Sequence, residues 1–306
     1  MMDKNNRKIK HIRFSITSLC NCKCIYCDKE GFIPKTTELT VDEIIKLCKI
    51  LAQILNVTRI KFTGGEPLCR KEIISIIKNV SDLKLYKDIS MTTNGLLLYN
   101  KAEELYNAGL NRINVSLGTL NSQRYKKIYN TDSLNTVLKG LEKSKEVGLN
   151  PIKINYVILK NLNDDEFWNM SDFCSKNGYI LQLIELHKVS KSVGENNSFY
   201  QKYHYDTGPL IRELEKKAEE IIIRGNMQNR KTFIFSNGSI IETIIPNHES
   251  CMGCTKLRVG CDGNLFGCLF RSDLGRNIKE TLKDHHSLEK YEEIVKQIVQ
   301  SREPFY

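Results

Sequence analysis

Ser18-Leu19-Cys20-Asn21-Cys22-Lys23-Cys24-Ile25-Tyr26-Cys27 carries Cys20, Cys24 and Cys27 at C-x3-C-x2-C spacing, directly after an apolar stretch, Ile12 to Ile16, that reads as a strand. Three thiolates this close can hold three irons of a cubane cluster and leave the fourth iron without a protein ligand. A cluster with an open corner is a reactive site, because something other than protein has to fill that corner. Zinc is the competing reading. Structural zinc asks for four closed ligands, usually as two separated pairs, and this tripod has the wrong spacing for it. Cys22 is a further thiol inside the motif and stays open as a ligand.

Outward from this motif the chain alternates strands and helices. Strands are expected near residues 10–17, 58–62, 88–91, 112–117, 151–158 and 179–185. Thr40-Val41-Asp42-Glu43 has the form of a capping box and opens an amphipathic run to Leu55. Asn100-Lys101-Ala102-Glu103 opens a second helix, stopped by Gly109, and Asn163-Asp164-Asp165-Glu166 a third, followed by Gly178. Six such units predict an α/β fold with a parallel sheet, either doubly wound or curved into part of a barrel. In both cases chemistry is expected at the C-terminal ends of the strands. The alternation fades after about residue 190. Lys191 to Gly208 reads as a loop, Pro209 to Ile223 as a helix, Phe233 to Ile245 as a hairpin turning at Asn237-Gly238, and Leu288 to Gln300 as a terminal helix.

A second cysteine group lies in that last part. Cys251, Cys254 and Cys268 form C-x2-C-x13-C, again the count for a cluster with one open corner. Cys261 lies between them and could instead close a four-thiolate site, of zinc or of a fully ligated cluster. Lys256, Arg258 and Arg271 flank the group, and cations of this kind suit a polyphosphate. Cys48, Cys69 and Cys174 read as structural thiols.

Composition sets the frame. The chain has 306 residues, 41% of them hydrophobic, and a net charge of +10 that favours an anionic partner. Its eleven cysteines fall mostly in two clusters, which reads as metal binding in a reducing compartment rather than a disulfide framework. The start has no apolar signal segment and no run long enough to span a bilayer, so a cytoplasmic location and no membrane partner are expected.

With both cysteine groups in view, the chain resembles the radical S-adenosylmethionine (SAM) superfamily and, within it, the GTP 3′,8-cyclase family that begins molybdopterin synthesis. The resemblance runs over nearly the full length. It includes Ile12-Arg13-Phe14-Ser15-Ile16-Thr17, Thr63-Gly64-Gly65-Glu66-Pro67-Leu68 with Arg70, Thr92-Thr93-Asn94-Gly95, Asn114-Val115-Ser116-Leu117, Lys153-Ile154-Asn155, Ile184-Glu185-Leu186, and the second cysteine group with Lys256-Leu257-Arg258. The first tripod and the Gly-Gly-Glu-Pro loop are superfamily-wide; the second group is much more specific to the cyclases.

The resemblance implies a partial (βα)6 barrel over residues 1–230 and a C-terminal α+β extension over 231–306 that carries a second cluster. It implies two [4Fe-4S] clusters, on Cys20, Cys24 and Cys27 and on Cys251, Cys254 and Cys268. SAM would be held by Tyr26, Gly64, Gly65, Glu66, Ser116 and His187, with Glu66 accepting from the methionine ammonium. GTP would be held by Arg13, Lys61, Thr92, Lys153, Lys256, Leu257 and Arg258. The implied reaction is radical cyclisation of GTP to (8S)-3′,8-cyclo-7,8-dihydroguanosine 5′-triphosphate. The implied partners are GTP, a one-electron donor and, downstream in the pathway, cyclic pyranopterin monophosphate synthase; a homodimer is compatible, and nucleic acid is not expected.

The chain departs from the family pattern at several places. Lys61 and Lys256 stand where arginine is usual, Gln182 replaces an arginine, His187 a methionine and Gly118 an aspartate. Many members end in Gly-Gly, whereas this chain ends Ser301-Arg302-Glu303-Pro304-Phe305-Tyr306, closer to archaeal-type members, and Arg302 is expected to take over the tail's part. The alternatives are a peptide- or tRNA-modifying radical SAM enzyme and, from another class, a zinc-stabilised nucleic-acid-binding protein.

Overall fold

Strand β1 (His11–Ser15) buries Ile12 and Phe14 on one face and turns Arg13 to the other. In the computed structural model, which describes residues 1–31, 33–34, 37–188, 197–283 and 287–305, this alternation recurs from strand to strand. The elements that follow are α1 (Val41–Leu55), β2 (Arg59–Thr63), α2 (Ile73–Asp82), β3 (Asp88–Thr93), α3 (Leu98–Asn107), β4 (Arg112–Ser116), α4 (Ser122–Tyr129), α5 (Leu134–Glu146), β5 (Ile152–Ile158), α6 (Phe167–Asn177) and β6 (Ile180–Glu185). The six strands lie side by side in chain order, all parallel. A doubly wound sheet would reverse its order about a switch point. This order is that of a barrel wall, which decides between the two expected architectures.

Both faces of an ordinary parallel sheet are apolar. Here Ile60, Phe62, Ile89, Met91, Ile113, Val115, Ile154 and Leu181 pack outward in the core, while Lys61, Ser90, Asn114, Lys153 and Gln182 alternate with them on the inner face. A polar inner face leaves room for a ligand rather than a packed core. The helices complete the outer layer. α1 is closed at its start by the capping box, with Glu43 N donating to Thr40 Oγ1 at 3.2 Å and Thr40 N to Glu43 Oε2 at 2.8 Å. It buries Ile44, Leu47, Cys48, Leu51 and Leu55 at helical spacing. Cys174 is buried likewise on α6.

The C-terminal part comprises α7 (Asn197–Tyr203), α8 (Gly208–Lys217), β7 (Glu220–Arg224), β8 (Arg230–Ile234), β9 (Ile240–Ile244), α9 (His248–Met252), β10 (Lys256–Val259), β11 (Asn264–Phe266), β12 (Arg276–Asn277), α10 (Lys279–Lys283) and α11 (Leu288–Gln300). It adds strands to both edges of the barrel wall. β9 joins β6 in parallel and β8 and β7 continue antiparallel; β10 joins β1 in parallel, followed by β11 and β12. The sheet runs through residue 230 without a break, because Arg230 opens β8 and faces Arg224 of β7. Two expectations change here. The helix from Pro209 ends at Lys217, and residues 220–224 form a strand whose β-branched Ile221, Ile222 and Ile223 pair with β8. Of the expected loop from Lys191, residues 191–196 lie outside the described residues, and 197–203 are helical. The hairpin and the terminal helix stand where expected. Among the described residues no helix is long and apolar enough to cross a membrane.

Arg70 ties the end of β1 to the segment before α1. Its buried guanidinium donates to Ile16 O at 2.5 Å and to Leu39 O at 2.6 Å. Arg70→Met strands both carbonyls and is expected to cost about 3 kcal/mol, read as a lower denaturant midpoint at unchanged slope.

Candidate active site

The first cysteine loop leaves the C-terminal end of β1 and is stitched to three neighbours. Gly65 N donates to Thr17 O at 2.8 Å and Glu66 N to Leu19 O at 2.7 Å, so the loop after β2 runs along the residues that precede Cys20. Only glycine permits this approach: a Cβ at Gly64 would lie 2.5 Å from Thr17 O, and one at Gly65 2.3 Å from Leu19 O. Asn94, after β3, donates from Nδ2 to Asn21 Oδ1 at 2.7 Å. Lys23 N and Ile25 N donate to the carbonyls of Tyr129 and Ile128 at the end of α4. Gly65→Ala should therefore open the loop and lower the iron taken up by the first group, measured per chain after reconstitution.

The second group sits at the opposite end of the strands. Lys256, the first residue of β10, lies beside His11, the first residue of β1. Cys254 therefore precedes the N-terminal end of that pair, while Cys20 follows its C-terminal end. Four rises of about 3.3 Å along β1 put roughly 13 Å between those ends. The expectation that all chemistry gathers at the C-terminal ends is thus corrected, because the extension delivers its cysteines from the other side. Cys20, Cys24, Cys27, Cys251, Cys254 and Cys268 all line one cavity of about 390 Å³ that passes between them.

The donor sets suit clusters. In both C-x2-C pairs the later cysteine's N–H donates to the earlier one's carbonyl, Cys27 to Cys24 at 3.2 Å and Cys254 to Cys251 at 3.1 Å. The sulfurs of Cys20, Cys27, Cys254 and Cys268 each accept a backbone N–H from two residues on, a ready partner for a thiolate. Cys22 also lines the cavity, with its thiol hydrogen-bonded to that of Cys24. Cys261 does not line it: it is buried, its carbonyl takes Leu39 N–H, and its neighbours are Glu38, Asp262 and Arg70.

Between the two groups the inner face carries the cations. Arg13 forks onto Glu30 at 2.8 and 2.6 Å, and Arg258 reaches the same carboxylate at 3.0 Å. Lys153 meets buried Glu242 at 2.5 Å, and Arg224 meets it at 2.8 Å. Lys61 donates to Asn114 Oδ1 at 2.6 Å, Lys256 to Gln228 Oε1 at 2.5 Å, and Arg230 to that same oxygen at 3.2 Å. Three of these cations thus rest on neutral amides, and the cavity is positive. Burial lowers all three, and the neighbouring cations add to it: Lys61 and Lys256 fall well below the ordinary lysine range and Arg230 to about 10. Thr92, Ser116, Tyr26, Gly64 and Gly65 line the same cavity, as does His187, whose Nε2 lies 3.1 Å from Asp28 Oδ2.

Four expected contacts are placed differently. Leu257 is fully buried in the apolar core, on the face of β10 opposite Lys256 and Arg258, as strand alternation requires. Arg271 is outside the cavity lining and pairs with Asp273. The Glu66 carboxylate lines the cavity but accepts from Leu68 N, Thr93 Oγ1 and Asn94 N, which fills three of its roughly four acceptor positions and leaves little for a ligand's ammonium. Burial still lifts it to about 7. Arg302 borders the cavity but turns its two terminal nitrogens onto Asp3 and protein carbonyls. The residues that sequence reasoning missed are Glu30, Glu242, Arg224, Arg230, Asn114 and Gln228. Strand alternation could have turned Asn114 and Glu242 inward; Glu30 lies in a loop with no periodic signal.

Comparison with known proteins agrees with this geometry. A family model described as the radical SAM superfamily matches residues 14–174, and one described as Molybdenum Cofactor Synthesis C matches 179–306. The chain is 38% identical to a "Probable GTP 3′,8-cyclase" of Methanothermobacter thermautotrophicus, over 100% of this chain and 99% of that one. The same holds, at 38% with 100% and 99% coverage, for the protein of that name from Methanocaldococcus jannaschii. The chain belongs to the GTP 3′,8-cyclase family of the radical SAM superfamily. As a member of that superfamily it works with SAM and a cysteine-held iron–sulfur cluster. Among solved structures, Streptococcus suis SuiB bound to S-adenosylmethionine superposes with a TM-score of 0.66 at 19% identity, over 93% of this chain and 66% of that one, and anSMEcpe with bound AdoMet and Cp18Cys peptide with 0.62 at 16%, over 93% and 82%. These likenesses show the fold.

Lys61 separates stability from binding. Its folded form holds fewer protons than the unfolded lysine, so its contribution to stability rises with pH up to about 10.4. Lys61→Met should remove that slope and raise the melting temperature of the ligand-free chain. It should also weaken triphosphate binding by about 10- to 100-fold, read by calorimetry.

Proposed function

We propose that this chain is a GTP 3′,8-cyclase that converts GTP to (8S)-3′,8-cyclo-7,8-dihydroguanosine 5′-triphosphate, the opening step of molybdenum cofactor biosynthesis. The observation that carries this reading is the single cavity with a cysteine tripod at each end and a surplus of cations between them. A triphosphate is the kind of anion such a surplus accepts. The tripods are too far apart to hold one small group, and a nucleotide extended between them fits that span.

In this reading Cys20, Cys24 and Cys27 hold the first [4Fe-4S] cluster, and Tyr26, Gly64, Gly65, Ser116 and His187, with the backbone at Glu66, surround SAM. Cys251, Cys254 and Cys268 would hold a second [4Fe-4S] cluster, which would supply an iron without a protein ligand to the substrate. With SAM bound, the first cluster supplies one-electron cleavage of the sulfonium bond, the source of radical chemistry in this superfamily. Arg13, Lys61, Thr92, Lys153, Lys256 and Arg258 bind and orient GTP, with Leu257 contributing through its backbone alone. Glu30 and Glu242 keep Arg13, Arg258 and Lys153 fixed before the substrate arrives, which limits the reorganisation needed on binding.

The test is anaerobic reconstitution with iron and sulfide, followed by SAM, a reductant and GTP. The expected result is 5′-deoxyadenosine formed in proportion to GTP, together with a cyclised guanosine product. SAM cleavage indifferent to GTP would sink the reading. Replacing Cys251, Cys254 and Cys268 together by Ala should abolish ordered GTP binding. Normal GTP affinity in that variant would contradict the open-iron role of the second group.

A further inference from the structure

The second cysteine group is gripped by residues far from it in sequence, two of which, Arg7 and Arg302, also border the cavity. Asp3, Arg7 and Arg302 are 4%, 6% and 3% exposed. The Asp3 carboxylate accepts from Arg7 Nε at 2.8 Å and lies 3.1 Å from Arg302 Nη1. Its other oxygen takes the backbone N–H groups of Arg7 and Asn5, so the carboxylate is anchored. The two guanidiniums then reach the ligand segment itself. Arg7 Nη1 donates to Cys251 O at 2.8 Å, and Arg302 Nη2 to Cys254 O at 2.6 Å. The Arg302 stem also packs on Gly267, next to Cys268, where a Cβ would lie 2.3 Å from Arg302 Cγ. Arg302 alone thus touches the segments of Cys254 and Cys268, and Arg7 completes the set at Cys251.

We infer that Asp3, Arg7 and Arg302 form a clamp that positions the second cysteine group and holds a net positive charge beside the cluster it binds. Arginine suits the task because its fork fixes direction as well as charge, and it cannot shed its proton when buried. Partners that orient metal ligands typically change metal affinity by about 10- to 100-fold when removed, and hydrogen bonds and charge near a cluster set its potential. These three are positioning residues that act through the cysteine carbonyls. The inference rests on the two-cluster reading above and gives the last residues of the chain a different task from the substrate contact expected of Arg302.

The test reconstitutes the full chain with ferrous iron and sulfide and reads iron content, the electron paramagnetic resonance signals of the reduced clusters, and their midpoint potentials. Arg302→Gln keeps an amide donor and removes the charge. It should cut iron from about eight to about four per chain or, where the second cluster still loads, make that cluster's potential more negative. Arg302→Lys restores the charge and should return the potential toward that of the wild type, which a merely structural role would not do. Arg302→Gln with full loading and an unchanged potential overturns the inference alone. So does loss of both clusters, because the clamp touches only the second group. A wild-type chain that takes up only about four irons overturns the two-cluster reading and this inference with it.

Discussion

The parallel pairing of β10 with β1 is the constraint on which the rest of the molecule depends. It joins residues some 245 positions apart in register, His11 with Lys256 through Phe14 with Val259. Because the two strands run the same way, the cysteines before β10 and those after β1 must lie at opposite ends of the pair. Because side chains alternate, Arg13 and Arg258 must share the inner face, and Ile12 and Leu257 must share the core. One register therefore sets the separation of the two cysteine groups and the charge between them. A slip of β10 by one residue would turn Lys256 and Arg258 into the core and take their charge out of the cavity.

That cavity is electrostatically unfinished. Glu30 and Glu242 between them engage Arg13, Arg258, Lys153 and Arg224, while Lys61, Lys256 and Arg230 make do with the side-chain amides of Asn114 and Gln228. Cations held on neutral acceptors in a buried space strain the empty protein, as the depressed lysines show. An anion entering the cavity would offset this repulsion and favour the protonated lysines. Such a site trades folding stability for binding, as functional sites commonly do.

Much of the candidate site was legible in the sequence because its residues are marked by spacing and alternation. The two cysteine groups are marked by their spacing, with Cys22 and Cys261 left open as further ligands, and the inward direction of Arg13, Lys61 and Lys153 follows from the period of their strands. Residues in loops and at the far ends of the chain were illegible for the converse reason. Glu30 has no periodic signal, and Arg302 reads as an unexplained tail residue until its partners, Asp3 and Cys254, are seen to be beside it. Leu257 was misplaced because a motif transfers residues as a run, whereas a strand sorts them by face. Gly64 and Gly65 were expected to admit a ligand and are needed first to admit the neighbouring chain at Thr17 and Leu19.

The amino-acid sequence by itself determined the succession of strands and helices, the two thiol sets and the excess of cations, because local periodicity and spacing need no partner to be read. The tertiary structure alone decided that the six barrel strands keep chain order, that the two thiol sets face each other across one cavity from opposite strand ends, and that Asp3, Arg7 and Arg302 meet beside the second. The physical reason is that strand order and register are set by hydrogen bonds and side-chain packing between distant segments, and no local pattern records which distant segment will be the partner.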